Sequence, residues 1–385
     1  MRKLLMIPGP IEYESNVLNA MSLPTISHTS PEFISIYREV LENVSTIFGS
    51  DVTDSLPFII SGSGTLGMEV STVNFIKRDS KVLVVNTGYF GDRFVDLFSR
   101  FTDKIEQIRP PLGEAADPGV IKEKLETNEY ELMTVTHVDT STGVRNNVRK
   151  IAEAARGSET LLVVDGVCSV GGEEFDMKWG IDVAFTASQK ALGTPPGLAV
   201  GVAGKRALER MAKVKPLTFF SDLRKWEAVS KGVLASKGGY FGTPNVNLIN
   251  ALRVSLSNIL SEGMEKRITR HRLMSSALRA GIEGMGLEIM AKKSFANTVS
   301  AVYLPEGVES KRFLSDAENL GVVFASGLIR DIAGKYFRIG HMGSINSTEV
   351  LLSLSAIERA LNKGGKNIRP GSGLAPAEEV LLKSD

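Results

Sequence analysis

The chain has 385 residues, 43% of them apolar, and 45 lysines and arginines stand against 44 aspartates and glutamates. This near-neutral balance without a basic stripe excludes a phosphate-backbone partner, so nucleic acid is not expected. Cys168 is the single cysteine, which excludes an internal disulfide or a multi-cysteine metal centre and makes a reducing, cytoplasmic setting the expectation.

At the start, Arg2 and Lys3 precede only four apolar residues before Pro8, far short of a signal core or a membrane span, so no membrane association is expected. Residues 1–20 read as an N-terminal arm containing Pro8-Gly9-Pro10. Ser30-Pro31, followed by Phe33, Ile36, Tyr37, Val40, Leu41, Val44, Ile47 and Phe48, predicts a capped amphipathic helix that Gly49 ends. Short apolar runs recur at 58–60, 82–85, 132–135, 161–164, 183–185 and 198–202. Helical stretches at 68–76 and 91–101 lie between early runs, and Asp117-Pro118 opens another. Runs without polar alternation, separated by helices, predict a parallel sheet covered on both faces.

A large domain is expected over 21–245. From Val246 a long helical stretch running to 278 opens a smaller domain, 246–363, with strands at 299–303, 322–324 and 336–339 and helices at 310–320 and 347–361. Arg267, Arg270, His271 and Arg272 are expected on a solvated face of the long helix. The last stretch, 364–385, mixes glycine, proline and charge and reads as a loose tail.

Gly62-Ser63-Gly64-Thr65-Leu66-Gly67 matches G-x-G-x-x-G after an apolar run. A dinucleotide fold also needs a carboxylate at the end of the next strand, roughly 20 residues on. Here that strand ends in Asn86 with no acid nearby. A turn whose amides and small hydroxyls face a helix N-terminus can equally hold one phosphate monoester.

The second constellation is Asp165, at the end of an apolar strand, and Lys190, in a Ser/Gly/Pro loop two dozen residues later. A carboxylate at a buried strand end needs a cationic or hydrogen-bonding partner. A partly desolvated lysine is nucleophilic near neutral pH. A pyridinium nitrogen would satisfy the first and an aldehyde would consume the second; with an upstream phosphate turn these are the parts of a pyridoxal-phosphate site. The bland alternative is an Asp165–Lys190 salt bridge in a plain α/β fold.

The string from Val163-Val164-Asp165 to Gly171-Gly172, then Gly180-Ile181-Asp182, Ala187-Ser188-Gln189-Lys190-Ala191-Leu192 and Pro195-Pro196-Gly197, resembles the signature of class V aminotransferases. It is most similar to the serine:pyruvate, serine:glyoxylate and alanine:glyoxylate branch, and the resemblance extends from Pro8-Gly9-Pro10 to Arg338-Ile339-Gly340. It implies a fold type I α/β transferase with a large, mainly parallel seven-stranded sheet domain and a smaller C-terminal α/β domain. It also implies pyridoxal 5'-phosphate, carried covalently by Lys190, with Asp165 at the ring nitrogen.

By motif position, Ser63, Gly64, Thr65 and Gln189 would hold the phosphate, Phe90 would cover the ring, and Thr140 would bond its phenolic oxygen. Some relatives have tryptophan where Phe90 stands. Tyr240 and Thr243 would reach the phosphate of a neighbouring subunit, implying a homodimer with shared sites. Arg338 would grip the substrate carboxylate, with Gly9 beside it. His137 and Asp139 lack a third ligand at metal-binding spacing, so no metal is expected. The reaction implied is ping-pong transamination between serine or alanine and pyruvate or glyoxylate. Phosphoserine aminotransferase is the nearer alternative; a cysteine desulfurase would require Cys168 to be mobile and exposed.

Overall fold

The computed structural model describes residues 3–216 and 218–383. Its centre is a seven-stranded sheet in the spatial order Ser55–Ser61, Leu198–Gly204, Val183–Ala187, Leu161–Asp165, Leu132–Thr136, Val82–Val85, Ile105–Ile108. The last five run parallel, and Leu198–Gly204 is antiparallel to both its neighbours. Every residue of the four strands from Val183–Ala187 to Val82–Val85 is buried, because helices cover both faces; that is why their sequences are continuously apolar. The edge strand Ile105–Ile108 was not foreseen. Its sequence, Ile-Glu-Gln-Ile, buries only Ile108, so it carries no apolar run.

Parallel strands gather their carboxyl ends on one side of the sheet, where α/β folds place ligands. Here the loops following Val85, Thr136, Asp165 and Ala187 meet there. The register sets Asp165 beside Phe185 on one neighbour and Thr136 on the other.

A second core surrounds a three-stranded antiparallel sheet in which Tyr336–Gly340 lies between Val299–Tyr303 and Ala325–Ser326. The N-terminal arm belongs partly to this unit. Leu4–Leu5 pairs in parallel with Val322–Val323, Met6 N–H donates to Val323 and Gly340 N–H donates to Met6. The arm thereby carries Pro8 and Gly9 from the small sheet toward the large one.

Three expectations change. The long helical stretch is two helices, Val246–Glu262 and Met264–Gly284, broken at Gly263; its φ of +83° is a conformation that favours glycine. The first of the two puts Leu248, Ile249, Leu252, Leu256 and Ile259 into the large core. Arg267 and His271 are buried rather than solvated; only Arg272 of that group is well exposed. The tail contains the helix Leu374–Leu382, which packs on the second core through the fully buried Ala377, while the Glu358 carboxylate accepts the amides of Gly371 and Gly373. Among the described residues no helix is long and apolar enough to cross a membrane.

Docking of the last helix is close at Gly281, where an added Cβ would lie 2.4 Å from Leu354 Cδ1 and 2.6 Å from the Gly373 carbonyl. Gly281→Ala gains up to about 1 kcal/mol of helix propensity. Overpacking costs about 1–3 kcal/mol, the larger effect. A lowered urea midpoint is expected, and an unchanged or raised one would show that the C-terminal helix does not dock there.

Candidate active site

The phosphate turn follows from local geometry. Ser63 is the N-cap of Gly64–Val73, yet its side chain makes no capping bond. Its hydroxyl and the first amides of the helix therefore remain available to an anion, at the end where the helix dipole favours one. A Cβ on Gly64 would stand 3.1 Å from Val167 Cγ2, and one on Gly67 would stand 2.5 Å from the Phe185 ring. The glycines thus press the helix onto the sheet, and they bring the turn against the residue two places after Asp165. Thr65 Oγ1 accepts a bond from Arg93 at 3.4 Å, and the Arg93 guanidinium lies 5.8 Å from the Phe90 ring centre.

Asp165 is buried, and Oδ1 accepts the Val167 amide at 2.9 Å. Burial raises its carboxyl from the ordinary 3.8 to about 7; the Val167 bond and the Lys190 charge pull it down, and the nearby Asp139 pushes it up. No ion pair joins Asp165 to Lys190 among the described residues. The Lys190 amine instead donates to the Pro8 carbonyl, and an added Cβ on Gly9, whose φ is +86°, would fall 3.0 Å from Nζ. The salt-bridge alternative is therefore not what is seen. Lys190 itself is seated by a loop bonded to itself: Ser188 Oγ donates to Pro195 and accepts from Leu198, and Gly193 N–H donates to Lys190. Beside it, Gln189 Oε1 is buried without a hydrogen-bond partner.

Arg338 is buried on the central strand of the small sheet. Its Nε donates to the Ser326 carbonyl at 2.8 Å and Nη1 to Thr140 Oγ1 at 3.0 Å. Among the described residues no bond is made by Nη2, which leaves that side of the fork for a carboxylate. Thr140 thus meets Arg338 in addition to whatever it offers a cofactor. Tyr240 and Thr243 stand apart from this group. Their hydroxyls are 3.5 Å from each other, the Tyr240 ring lies tilted 5.6 Å from that of His28 and is 67% exposed, and no hydrogen bond among the described residues links either to Ser63, Gln189 or Lys190.

Sequence reasoning passed over three contributors. Asp139, weighed there only as a metal ligand, is buried; Oδ2 accepts the Phe90 amide at 3.1 Å, while Oδ1 accepts the Ser141 amide and hydroxyl. It fixes the start of the helix Tyr89–Phe98. The local signal was the Asp-Thr-Ser turn, whose bonding pattern is characteristic. Val167 was unremarked because a lone valine has no chemistry to flag. Arg267 was assigned to solvent because helical position alone does not reveal burial.

These residues suit pyridoxal phosphate on structural grounds. A buried carboxylate that is bonded to no cation among the described residues fits a pyridinium nitrogen, an amine bonded to a carbonyl fits an aldehyde, and uncapped helix amides fit a phosphate group. No group of three or more His, Cys, Asp or Glu side chains arranged for a metal occurs among the described residues.

Comparison with known proteins agrees with this chemistry. The family model described as aminotransferase class V matches residues 11–322. Alanine–glyoxylate aminotransferase 1 of Saccharomyces cerevisiae is 42% identical over 88% of this chain and 91% of its own length. Serine–glyoxylate aminotransferase of Methylorubrum extorquens is 32% identical over 100% of the chain and 97% of its own. The crystal structure of pyridoxamine–pyruvate aminotransferase from Mesorhizobium loti superposes with a TM-score of 0.94 at 29% identity, over 100% of this chain and 98% of that one. The chain belongs to the class V aminotransferase family, as a pyridoxal-phosphate-dependent transaminase of the alanine–glyoxylate and serine–glyoxylate branch.

Proposed function

We propose that the protein moves an amino group from a small amino acid, serine or alanine, to a 2-oxo acid, pyruvate or glyoxylate, in two half-reactions at one site. The observation that carries this reading is the trio of Lys190, Asp165 and Arg338, each buried or half-buried and each with bonding capacity left over. Pyridoxal phosphate, when bound, supplies an electron sink for the pair left on the donor Cα. The remaining tasks fall to the chain. Ser63, Gly64, Thr65 and Gln189 hold the phosphate, Asp165 keeps the proton on the ring nitrogen, and Phe90 covers the ring. Lys190 attaches the cofactor covalently, and its freed amine takes the proton from the donor Cα. Arg338 aligns the donor by its carboxylate, with Gly9 leaving room beside the lysine and Thr140 steadying the guanidinium.

The same proposal includes a homodimer in which Tyr240 and Thr243 serve the partner's phosphate. The exposure of Tyr240, and of Phe219 at 78%, supports it; apolar rings so open to water mark an interface. A cytoplasmic location accords with a lone cysteine in the core. Cys168 is buried and burial raises its thiol, so it is protonated and inert, which argues against the desulfurase alternative.

Borohydride reduction should fix cofactor mass on the peptide containing Lys190, and Lys190→Ala should bind cofactor without turnover. A label on any other lysine would end this assignment.

Asp165 makes a pH-dependent contribution with a definite sign. Its folded carboxyl, at about 7, lies above the unfolded 3.8. The protonated group therefore stabilises the cofactor-free fold fully below the unfolded value, and that contribution is lost as pH rises through the folded one. The stability of the parent relative to Asp165→Asn should fall across that window in cofactor-free protein. A flat difference in denaturant titrations would refute the buried-carboxyl assignment. In the loaded enzyme the same variant should lose turnover by orders of magnitude, because an amide cannot hold the ring proton.

Arg338→Lys should keep cofactor and fold yet bind the donor at least about tenfold more weakly, since a charge-assisted hydrogen bond is worth about 1.5–3 kcal/mol. Absorbance titrations with serine, alanine, phosphoserine and ethanolamine check this. Equal serine and alanine affinities in parent and variant would place the carboxylate elsewhere, and preference for phosphoserine would favour the alternative donor.

A further inference from the structure

Arg267 is 3% exposed, in the first turn of Met264–Gly284. Its Nε donates to the Gly171 carbonyl at 2.8 Å, Nη2 to the Ala191 carbonyl at 2.9 Å and Nη1 to Glu262 at 2.8 Å. Gly171 closes the loop that begins at Asp165, and Ala191 follows Lys190. The two loops touch, since an added Cβ on Gly171 would lie 3.4 Å from the Ala191 carbonyl carbon. One planar cation therefore fastens together the backbones of the segments that carry the two groups of opposite role.

The counter-charge is shared. Glu262 also accepts from Arg270 Nε at 2.6 Å and Nη2 at 2.9 Å, and Arg270 donates to the carbonyls of Ile345 at 2.7 Å and Gly343 at 3.1 Å. His271 completes the cluster: Nδ1 is 2.8 Å from the Arg267 carbonyl and Nε2 accepts the Gly343 amide at 3.0 Å. That pairing requires a neutral ring with its proton on Nδ1, and burial drives the imidazole down to about 3. Every polar atom in the cluster that faces inward has a partner.

Adhesion alone does not call for this arrangement. An apolar side chain of similar volume would fill the space without taking a guanidinium out of water. What an apolar residue cannot do is fix two carbonyls at a set distance and angle, which the rigid donor fork does. We propose that Arg267, with Glu262 as counter-charge, is a positioning residue for transamination: it sets the Ala191 peptide, and thereby the aim of Lys190 relative to Asp165. This rests on the reading of Lys190 as the cofactor lysine.

The test uses loaded parent enzyme, Arg267→Lys and Glu262→Gln. Four quantities are measured: the site of borohydride labelling, the pH dependence of cofactor absorbance, kcat and KM for the donor, and hydrogen exchange over residues 186–197. In Arg267→Lys the label should stay on Lys190. The absorbance midpoint should move by about half a pH unit or more. Misaiming on the ångström scale should lower kcat about ten- to a hundredfold, with donor KM within about threefold because Arg338 is untouched. Glu262→Gln should shift the same quantities less and speed exchange at 191–193.

A folded Arg267→Lys with the parent's absorbance midpoint and kcat would overturn the proposal. So would a lowered melting temperature with both unchanged, which would make Arg267 adhesive only. If Arg267→Lys does not fold, Glu262→Gln decides: parental absorbance and parental exchange refute the clamp, and a shift in both supports it. A label on another lysine in the parent is a different failure, of the Lys190 assignment itself.

Discussion

Asp165 presents the constraint around which the site is built. It ends a strand buried along its whole length, so its carboxylate leaves water with one amide as partner and, among the described residues, no cation in bonding contact. A charge in that position is costly unless something neutralises it. The protein alone responds by raising the carboxyl toward neutrality. A ligand with a protonated ring nitrogen responds better, since it keeps the carboxylate ionised and is itself held cationic. In the proposed function, the electrostatics that disfavour a bare carboxylate at this strand end favour a pyridinium beside it.

The second requirement is that three segments distant in sequence converge on that point. The parallel sheet brings the Asp165, Lys190 and Thr140 loops together at one end. The arm does the rest by crossing from the small sheet: pairing with Val322–Val323 sets Met6, and two residues later the Pro8 carbonyl receives the Lys190 amine. Arg338, on the central small strand, reaches back to Thr140 of the large domain. Both units thus contribute to this group of residues, and the buried cluster around Arg267 and Glu262 lies where they meet: Arg267 bonds Gly171 and Ala191 of one, and Arg270 bonds Gly343 and Ile345 of the other.

How much of this was legible depended on whether the physics was local. Strands covered on both faces announce themselves as unbroken apolar runs, so six of the seven were readable; Ile105–Ile108, half in water, was not. Asp165 and Lys190 stand out in the sequence because a carboxylate and a lysine among apolar strands contradict their surroundings. Arg267 and His271 were misread for the opposite reason. A helix whose charges are spread around it has no apolar stripe to say which side is covered, and only tertiary packing decides. The break at Gly263 was hidden because helical propensity on both sides is good. The last helix was hidden by glycine and proline that belong to the turn before it and to its own first turn, where proline is tolerated. The pairing of Thr140 with Arg338 spans 198 positions, beyond any pattern that a sequence read alone can carry.

The distribution of bonded and unbonded polar groups separates scaffold from site. Asp139, Arg267, Arg270 and His271 are polar and mostly buried, and their bonds are made within the chain; a ligand has nothing to add to them. The Gln189 oxygen, Arg338 Nη2, the Ser63 hydroxyl and one side of Asp165 are differently placed, because each has capacity that the protein does not use. Of these four, Asp165 and Arg338 are buried, Gln189 is half-buried and Ser63 is exposed. Buried atoms without a partner among the described residues occur elsewhere too, the Ser45 and Ser71 hydroxyls, His137 Nδ1 and Arg253 Nε among them, so one unpaired atom is by itself a poor indicator. Natural folds leave few buried polar atoms unsatisfied. The amides at the Ser63 turn, the buried carboxyl of Asp165 and the guanidinium of Arg338 differ in chemistry, and the proposed function assigns them in turn to a phosphate, a ring nitrogen and a substrate carboxylate.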